Sequence, residues 1–286
     1  MKRRVLIVEQ PSRVEAVLRN GLELPREDVV ALVQRGAVYV DGKRAKDAGV
    51  RVGPGAKVMV VLEESGQAVT APPPKPPALV VLYEDHEVLA VDKPAGVTAQ
   101  PTPGRVGDSL LDLATEYLKR PAGLVHRLDR ETSGVTVFGK THRATSALAE
   151  AFREGRVQKE YLAVTASGLP ASGVIELPLS KDPSRPGRWR ASARANGVPA
   201  VTHYTRLSDD GTHAVVALFP QTGRTHQLRA HLAGIGFPIV GDRLYGGSEG
   251  PRCLLHARRL QIDALVIEAP VPADLARFTS PAGSRR

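Results

Sequence analysis

Residues 64–78 divide this chain. Their sequence, Glu-Ser-Gly-Gln-Ala-Val-Thr-Ala-Pro-Pro-Pro-Lys-Pro-Pro-Ala, has neither the 3.6-residue period of an amphipathic helix nor the alternation of a strand, and its prolines lack the amide hydrogens that either ladder needs. Such a segment reads as a semi-extended spacer rather than packed structure. The 286 residues therefore separate into a small N-terminal domain, 1–63, and a larger one, 79–286, each short enough to close around its own core.

On the N-terminal side, basic residues precede Val5-Leu6-Ile7-Val8. A secretory leader needs a longer apolar run than this one, which stops at Glu9 and Gln10, so a strand is expected. Ser12-Arg13-Val14-Glu15 has the spacing of a capping box, in which a serine hydroxyl and a glutamate three residues on satisfy each other's end donors; it predicts a short helix ended by Gly21. Pro25 suits the first turn of a second helix, with Glu27 and Asp28 matching its dipole, Val29, Leu32 and Val33 on its apolar stripe, and Gly36 after its end. Val38-Tyr39-Val40 then meets Asp41-Gly42, a hairpin signal, and Pro54-Gly55 turns the chain into a strand over 57–62.

Two short helices followed by a hairpin bearing Arg35, Lys43, Arg44, Lys46 and Arg51 resemble the small RNA-binding domain named after the fourth small-subunit ribosomal protein (S4). The resemblance covers roughly residues 12–62 and is strongest at Gly36-Ala37-Val38-Tyr39-Val40-Asp41-Gly42-Lys43, while Val14-Glu15-Ala16 departs from the Arg-Leu-Asp start common there. It implies RNA contact through Arg35, Lys43 and Arg44. The net charge of +9, carried mostly by arginine, suits a polyanionic partner. No window approaches the ~18 uninterrupted apolar residues of a membrane helix. The lone Cys253 has no partner for an internal disulfide, which fits a reducing cytoplasm.

Beyond the spacer, 79–83 and 88–91 are strand-like runs around a polar turn, and helices are expected near Thr141 and Thr225. Short β-rich segments mixed with helices predict an α+β domain rather than a regular βαβ array. Its most informative stretch is 124–140, Leu-Val-His-Arg-Leu-Asp-Arg-Glu-Thr-Ser-Gly-Val-Thr-Val-Phe-Gly-Lys, which sets an acid between two arginines ahead of an apolar strand. In an extended backbone Arg127 and Asp129 face one side, and His126 and Leu128 the other. Nearby guanidinium groups favour the ionised carboxylate and leave it available as nucleophile or base. Taken alone, an Arg-x-Asp step is more often a structural ion pair.

The longer sequence His126-Arg127-Leu128-Asp129-Arg130-Glu131-Thr132-Ser133-Gly134 resembles the first signature motif of the RluA-type pseudouridine synthases. Leu82-Tyr83-Glu84-Asp85 and Lys93-Pro94-Ala95-Gly96 are similar to that family's lead-in. Lys159-Glu160-Tyr161-Leu162-Ala163-Val164 resembles its second motif, and Gly223-Arg224-Thr225-His226-Gln227-Leu228-Arg229-Ala230-His231 its third, continued by Pro238-Ile239-Val240-Gly241-Asp242. The resemblance implies a mixed-sheet catalytic domain that isomerises uridines in structured RNA without cofactor or metal. It makes Asp129 the essential carboxylate, Tyr161 the aromatic packed on the target base and Arg229 the ion-pair partner of Asp129. Leu228 lines the pocket, Arg127 fills the place of the extruded uridine, and Arg224 holds a phosphate. The N-terminal domain tilts the expected substrate toward ribosomal rather than transfer RNA, and a monomer is expected.

Other readings share these residues. His226 and His231 lack the four-residue step and the glutamate of a zincin helix. Ser133 lies near His126 and Asp129, but no nucleophile elbow accompanies it. A non-catalytic RNA-binding or assembly factor would share the charge and the N-terminal domain, yet would not need Asp129, Tyr161 and Arg229 together. An RNA glycosidase would need a second carboxylate paired with Asp129. Thr225 is the expected cap of a helix whose Leu228 and Leu232 face the core. Residues 177–201, with Lys181, Arg185, Arg188, Trp189, Arg190 and Arg194, fit no motif and read as a basic insertion or hairpin that grips RNA, Arg188 and Arg190 foremost.

Overall fold

The computed structural model describes residues 2–34, 36–45, 47–62, 78–101, 108–193 and 196–279. Apart from Ala78, the expected spacer lies outside these residues, as do Arg35, Lys46 and Arg194. Two units are present: residues up to 78 together with 98–117, and 79–97 together with 118 onward.

In the first unit, β1 (Lys2–Ile7), β2 (Ser12–Arg13), α1 (Val14–Leu22), α2 (Arg26–Gln34), β3 (Val38–Val40), β4 (Lys43–Arg44), β5 (Arg51–Val52) and β6 (Lys57–Leu62) follow in order, and most of α3 (Leu110–Leu118) also belongs here. Antiparallel pairing gives a sheet ordered β1-β6-β3-β4. Val14 and Leu18 of α1 and Val29 and Leu32 of α2 are buried with Val38, Val58 and Val60 of the sheet. Asp41 and Gly42, at φ 47° and 79°, take the left-handed pair of conformations that a tight hairpin turn requires.

The capping box does not form. Ser12 is drawn into a ladder with Val52, and the helix amides it would have served, those of Val14 and Glu15, donate instead to the carbonyls of Val50 at 2.9 Å and Ala48 at 2.8 Å. Tertiary partners thus replace the local cap. Nor does Gly21 end the helix, which runs to Leu22 and closes on Glu23 at φ 55°. Gly21 instead admits Leu6 of β1, whose Cδ1 would lie 2.5 Å from any added Cβ.

The second unit contains β7 (Val80–Glu84), β8 (Val88–Lys93), β9 (Gly123–Leu124), β10 (Ser133–Gly139), α4 (His142–Arg153), β11 (Val157–Ala166), β12 (Ser172–Ile175), β13 (Leu179–Lys181), β14 (Trp189–Ala191), β15 (Thr202–Asp209), β16 (His213–Pro220), α5 (Gln227–Gly234), β17 (Leu255–Ile262), β18 (Leu265–Glu268) and α6 (Ala273–Thr279). One mixed sheet runs β12-β15-β16-β11-β17-β10-β8-β7, with β18 on β17 and β9 on β10. The β10–β17 pairing is parallel and its neighbours are antiparallel, so the domain is α+β. All of β10 is buried, as its unbroken small and apolar sequence requires. Thr141 caps α4, its hydroxyl accepting the Ala144 amide at 3.1 Å. Leu228 and Leu232 of α5 join Leu162, Val164, Val216 and Leu218 in the core. Among the described residues, no helix is long and apolar enough to cross a membrane.

Candidate active site

Three neighbouring strands, β11, β17 and β10, bring the distant motifs together. Tyr161 and Gly134 both pair with Ala257, from opposite sides of β17. Gly134 sits at φ 114°, and a Cβ there would lie 2.2 Å from the Ala257 carbonyl oxygen, so the strand that follows Asp129 comes this close only as glycine. A bulge between Glu160 and Tyr161 re-aims the tyrosine beside the crossing.

The loop carrying Asp129 is fixed through its backbone. Thr132 donates to the Asp129 carbonyl at 3.1 Å, Gly96 to that of Arg130 at 2.8 Å, and Arg252 Nη1 to that of Glu131 at 3.3 Å. Lys93, fully buried, donates from Nζ to the carbonyls of Pro94, Val97 and Arg130 at 2.9, 2.8 and 3.1 Å. Burial pushes the Lys93 pKa down to about 7 against the pull of Asp129 and Glu131. The expectation of strand alternation over 126–129 fails, because β9 ends at Leu124 and the following residues are irregular. Arg127, Leu128 and Asp129 consequently line one cavity, of about 100 Å³.

Arg229 meets Asp129 there. Its Nη1 donates to Asp129 Oδ2 at 3.1 Å, while Nε and Nη2 donate to Asp242 Oδ2 and Oδ1 at 2.7 and 2.8 Å. Burial works against the guanidinium charge, but the Asp242 hydrogen bonds and charge outweigh it and raise its pKa. Asp242 is fully enclosed and also accepts the amides of Leu244 and Tyr245. His226 Nε2 stands 3.7 Å from Asp129 Oδ2 and its Nδ1 lies 3.1 Å from Tyr245 Oη; burial lowers its pKa against the pull of the Asp129 charge. Burial, with the Asp129 charge adding to it, raises the Tyr161 pKa and keeps its hydroxyl protonated.

Thr225 does not cap α5. The cap position falls on His226, at φ 56° with no side-chain cap bond, and Gln227 ties the helix start instead, accepting from Thr222 Oγ1 and the Arg224 amide and donating to Val201 O and Thr202 Oγ1. His231 bonds Thr202 Oγ1 and the Leu177 carbonyl, each at 2.9 Å. Ser133 Oγ meets His256 Nδ1 at 2.9 Å, and His126 Nε2 accepts the Val137 amide at 3.0 Å, so a serine–histidine–aspartate relay is not assembled from these residues.

Asp129, Tyr161, Arg229, Arg127, Leu228 and Arg224 all line the cavity. Arg127 and Arg224 are exposed, and Arg224 Nε reaches the Pro199 carbonyl at 3.3 Å. Lys43 and Arg44 lie on β4 of the other unit, the Arg44 guanidinium 5.9 Å from the Tyr39 ring centroid. Arg188 and Arg190 flank Trp189 on the β13–β14 hairpin. Asp242, Tyr245, His226 and Lys93 join the site through contacts that sequence reasoning missed. Asp242, His226 and Lys93 stand inside the motifs, but nothing in the spacing reveals that they pair with Arg229, meet Tyr245 or brace Arg130.

Comparison with known proteins assigns the chain to a family. Residues 87–234 match the family model of RNA pseudouridylate synthases, and 13–58 match that of the S4 domain. The ribosomal large subunit pseudouridine synthase D of Xanthomonas campestris is 34% identical over 94% of this chain and 88% of its own length. The protein of the same name from Neisseria meningitidis serogroup B is 34% identical over 94% of this chain and 78% of its own. The solved structure of human RNA pseudouridylate synthase domain containing 4 gives a TM-score of 0.59 at 29% identity, covering 69% of this chain and 90% of that one. The chain belongs to the RNA pseudouridylate synthase family and carries an N-terminal S4 domain.

Proposed function

We propose that this enzyme isomerises uridines of large-subunit ribosomal RNA to pseudouridine, with Asp129 as the essential carboxylate. The observation that carries the reading is that Asp129 is the one acid among the described residues lining the cavity, where it meets Arg229 and lies beside Tyr161. Isomerisation breaks the bond from uracil N1 to the sugar C1′, turns the ring, joins C5 to C1′, and exchanges the C5 proton for one taken up at N1. Atoms and electrons balance without a redox partner. A base in a helix is out of reach, so the target must leave the stack. Tyr161 then takes the uracil face, Leu228 closes the pocket, Arg127 occupies the gap in the RNA, and Arg224 holds backbone phosphate. Asp129 acts on the extruded nucleotide as nucleophile or base, and Arg229 keeps it aimed.

The S4 domain, through Arg35, Lys43 and Arg44, and the β13–β14 hairpin, through Arg188 and Arg190, provide further cationic contacts with RNA. The names of the bacterial relatives support ribosomal over transfer RNA. The reading extends to a cytoplasmic monomer, in which Cys253, the chain's one cysteine, has no partner for an internal disulfide. Tritium release from C5-labelled uridine in unmodified ribosomal RNA tests the reaction. Wild type releases tritium and Asp129→Ala does not; release by both would remove Asp129 from the chemistry, and tight binding without release by wild type would leave an RNA-binding factor.

A further inference from the structure

Helix α5 serves two cavities. Leu228 and Arg229 line the one that holds Asp129, whereas Ala230, Ala233 and Gly234 line a second of about 490 Å³, bounded across from them by Arg188, Trp189 and Arg190 of the hairpin. The two are linked through side chains. Tyr245 lines the second, its hydroxyl accepts the Trp189 amide at 3.0 Å and lies 3.1 Å from His226 Nδ1, and His226 lines the first.

The second cavity has the chemistry of a nucleotide site. Its α5 side is lined by small residues, Trp189 is a half-buried aromatic, and two guanidinium groups stand beside it with no carboxylate in the lining among the described residues. Arg188 is incompletely used by the protein: Asp182 Oδ2 is 3.9 Å from its Nε, which has no hydrogen-bond partner among the described residues. Aromatic faces and cations in one groove bind successive nucleotides of an unpaired strand with little regard to base identity. A groove on the same helix as the Asp129 cavity, one side-chain contact from it, is placed to receive the strand on one side of the target.

We propose that the groove between β14 and α5 is a second subsite, taking a nucleotide that flanks the target uridine, with its base against Trp189 and its phosphate on Arg188 and Arg190. This rests on the RNA-isomerase reading above. Trp189 is the chain's one tryptophan and so reports its own occupancy by fluorescence. A short oligouridylate quenches it, while an abasic ribose-phosphate strand of equal length does not; quenching by neither, or equally by both, overturns the base contact.

Two variants test the groove on unmodified ribosomal RNA. Ala233→Phe fills it and Arg190→Gln, at an exposed position, removes a cation without touching the core; each raises KM by about tenfold, the scale of one lost stacking or phosphate contact. A wild-type KM in both sinks the proposal, provided Ala233→Phe melts like wild type. Val174→Ser, exposed on β12, is the control that leaves quenching and KM alone. Tritium release is read in the same samples. Turnover without quenching removes the groove and leaves the isomerase reading standing, whereas quenching without turnover keeps the groove and removes the isomerase reading.

Discussion

Asp242 holds Arg229 by two hydrogen bonds, at 2.7 and 2.8 Å, and so frees the third face of the guanidinium for Asp129. The arrangement is a carboxylate–guanidinium–carboxylate chain with its inner end enclosed in protein and its outer end in the cavity. Removing Asp242 leaves a nearly buried cation without its main partner. Asp242→Ala is expected to lower stability by about 3–5 kcal/mol, the usual cost of breaking a buried pair from one side. Turnover falls with it, because Arg229 is then free to leave Asp129. Urea denaturation beside tritium release checks this; a midpoint within error of wild type would mean that other contacts hold Arg229.

Tyr161 separates stacking from hydroxyl chemistry. Its hydroxyl is held protonated by burial and by the Asp129 charge, while the residue lines the cavity proposed to receive the base. Tyr161→Leu is expected to weaken binding of a target stem-loop by about 1–3 kcal/mol, as loss of one aromatic–base contact does. Tyr161→Phe keeps the ring and binds like wild type. Binding isotherms for the two variants decide the matter, and equal losses in both would place the energy in the hydroxyl instead.

Much of this was legible in the chain. The Asp41-Gly42 hairpin, the helix beginning near Thr141 and the apolar run of β10 are local features, settled by residues within a few positions of each other. What failed depends on partners far along the sequence. The capping box at Ser12 lost to carbonyls some 35 residues away, and Thr225 gave way to Gln227, whose ties reach back to Val201 and Thr202. The same holds for the site: Asp129 and Arg229 stand in recognisable motifs, but the brace from Asp242 and the bridge from Trp189 through Tyr245 to His226 exist only once β14, α5 and the loop after it are packed together.

His126 makes stability depend on pH. Its ring stacks on Phe152, centroids 4.6 Å apart, and its Nε2 must be unprotonated to accept the Val137 amide. Burial, with Lys159 adding to it, pushes the pKa down to about 3. Between that value and the unfolded pKa the unfolded chain binds a proton that the folded chain refuses. The contribution is therefore complete above about pH 6.5 and is lost as pH falls toward 3, at no more than about 1.4 kcal/mol per pH unit. His126→Gln keeps an acceptor without the titration. Urea midpoints at pH 7.5 and 4.5 should fall further in wild type than in this variant, and parallel falls would assign the acid sensitivity to other groups.

Salt dependence separates the hairpin's arginines from the rest of the RNA-binding surface. Each phosphate neutralised by a cation releases condensed counterions, so the logarithm of the binding constant falls with the logarithm of salt at about 0.7 per contact on a single strand. Arg188 and Arg190 flank Trp189, and both line the groove beside α5. Arg188→Gln combined with Arg190→Gln should reduce the slope by about 1.4 if both meet phosphate. A reduction of half that size would keep one arginine on the backbone and leave the other to its contact with the Tyr245 ring, 5.5 Å away for Arg188. An unchanged slope with weaker binding at every salt concentration would mean that the substitutions act through hairpin packing, and the groove would then lose its phosphate anchor.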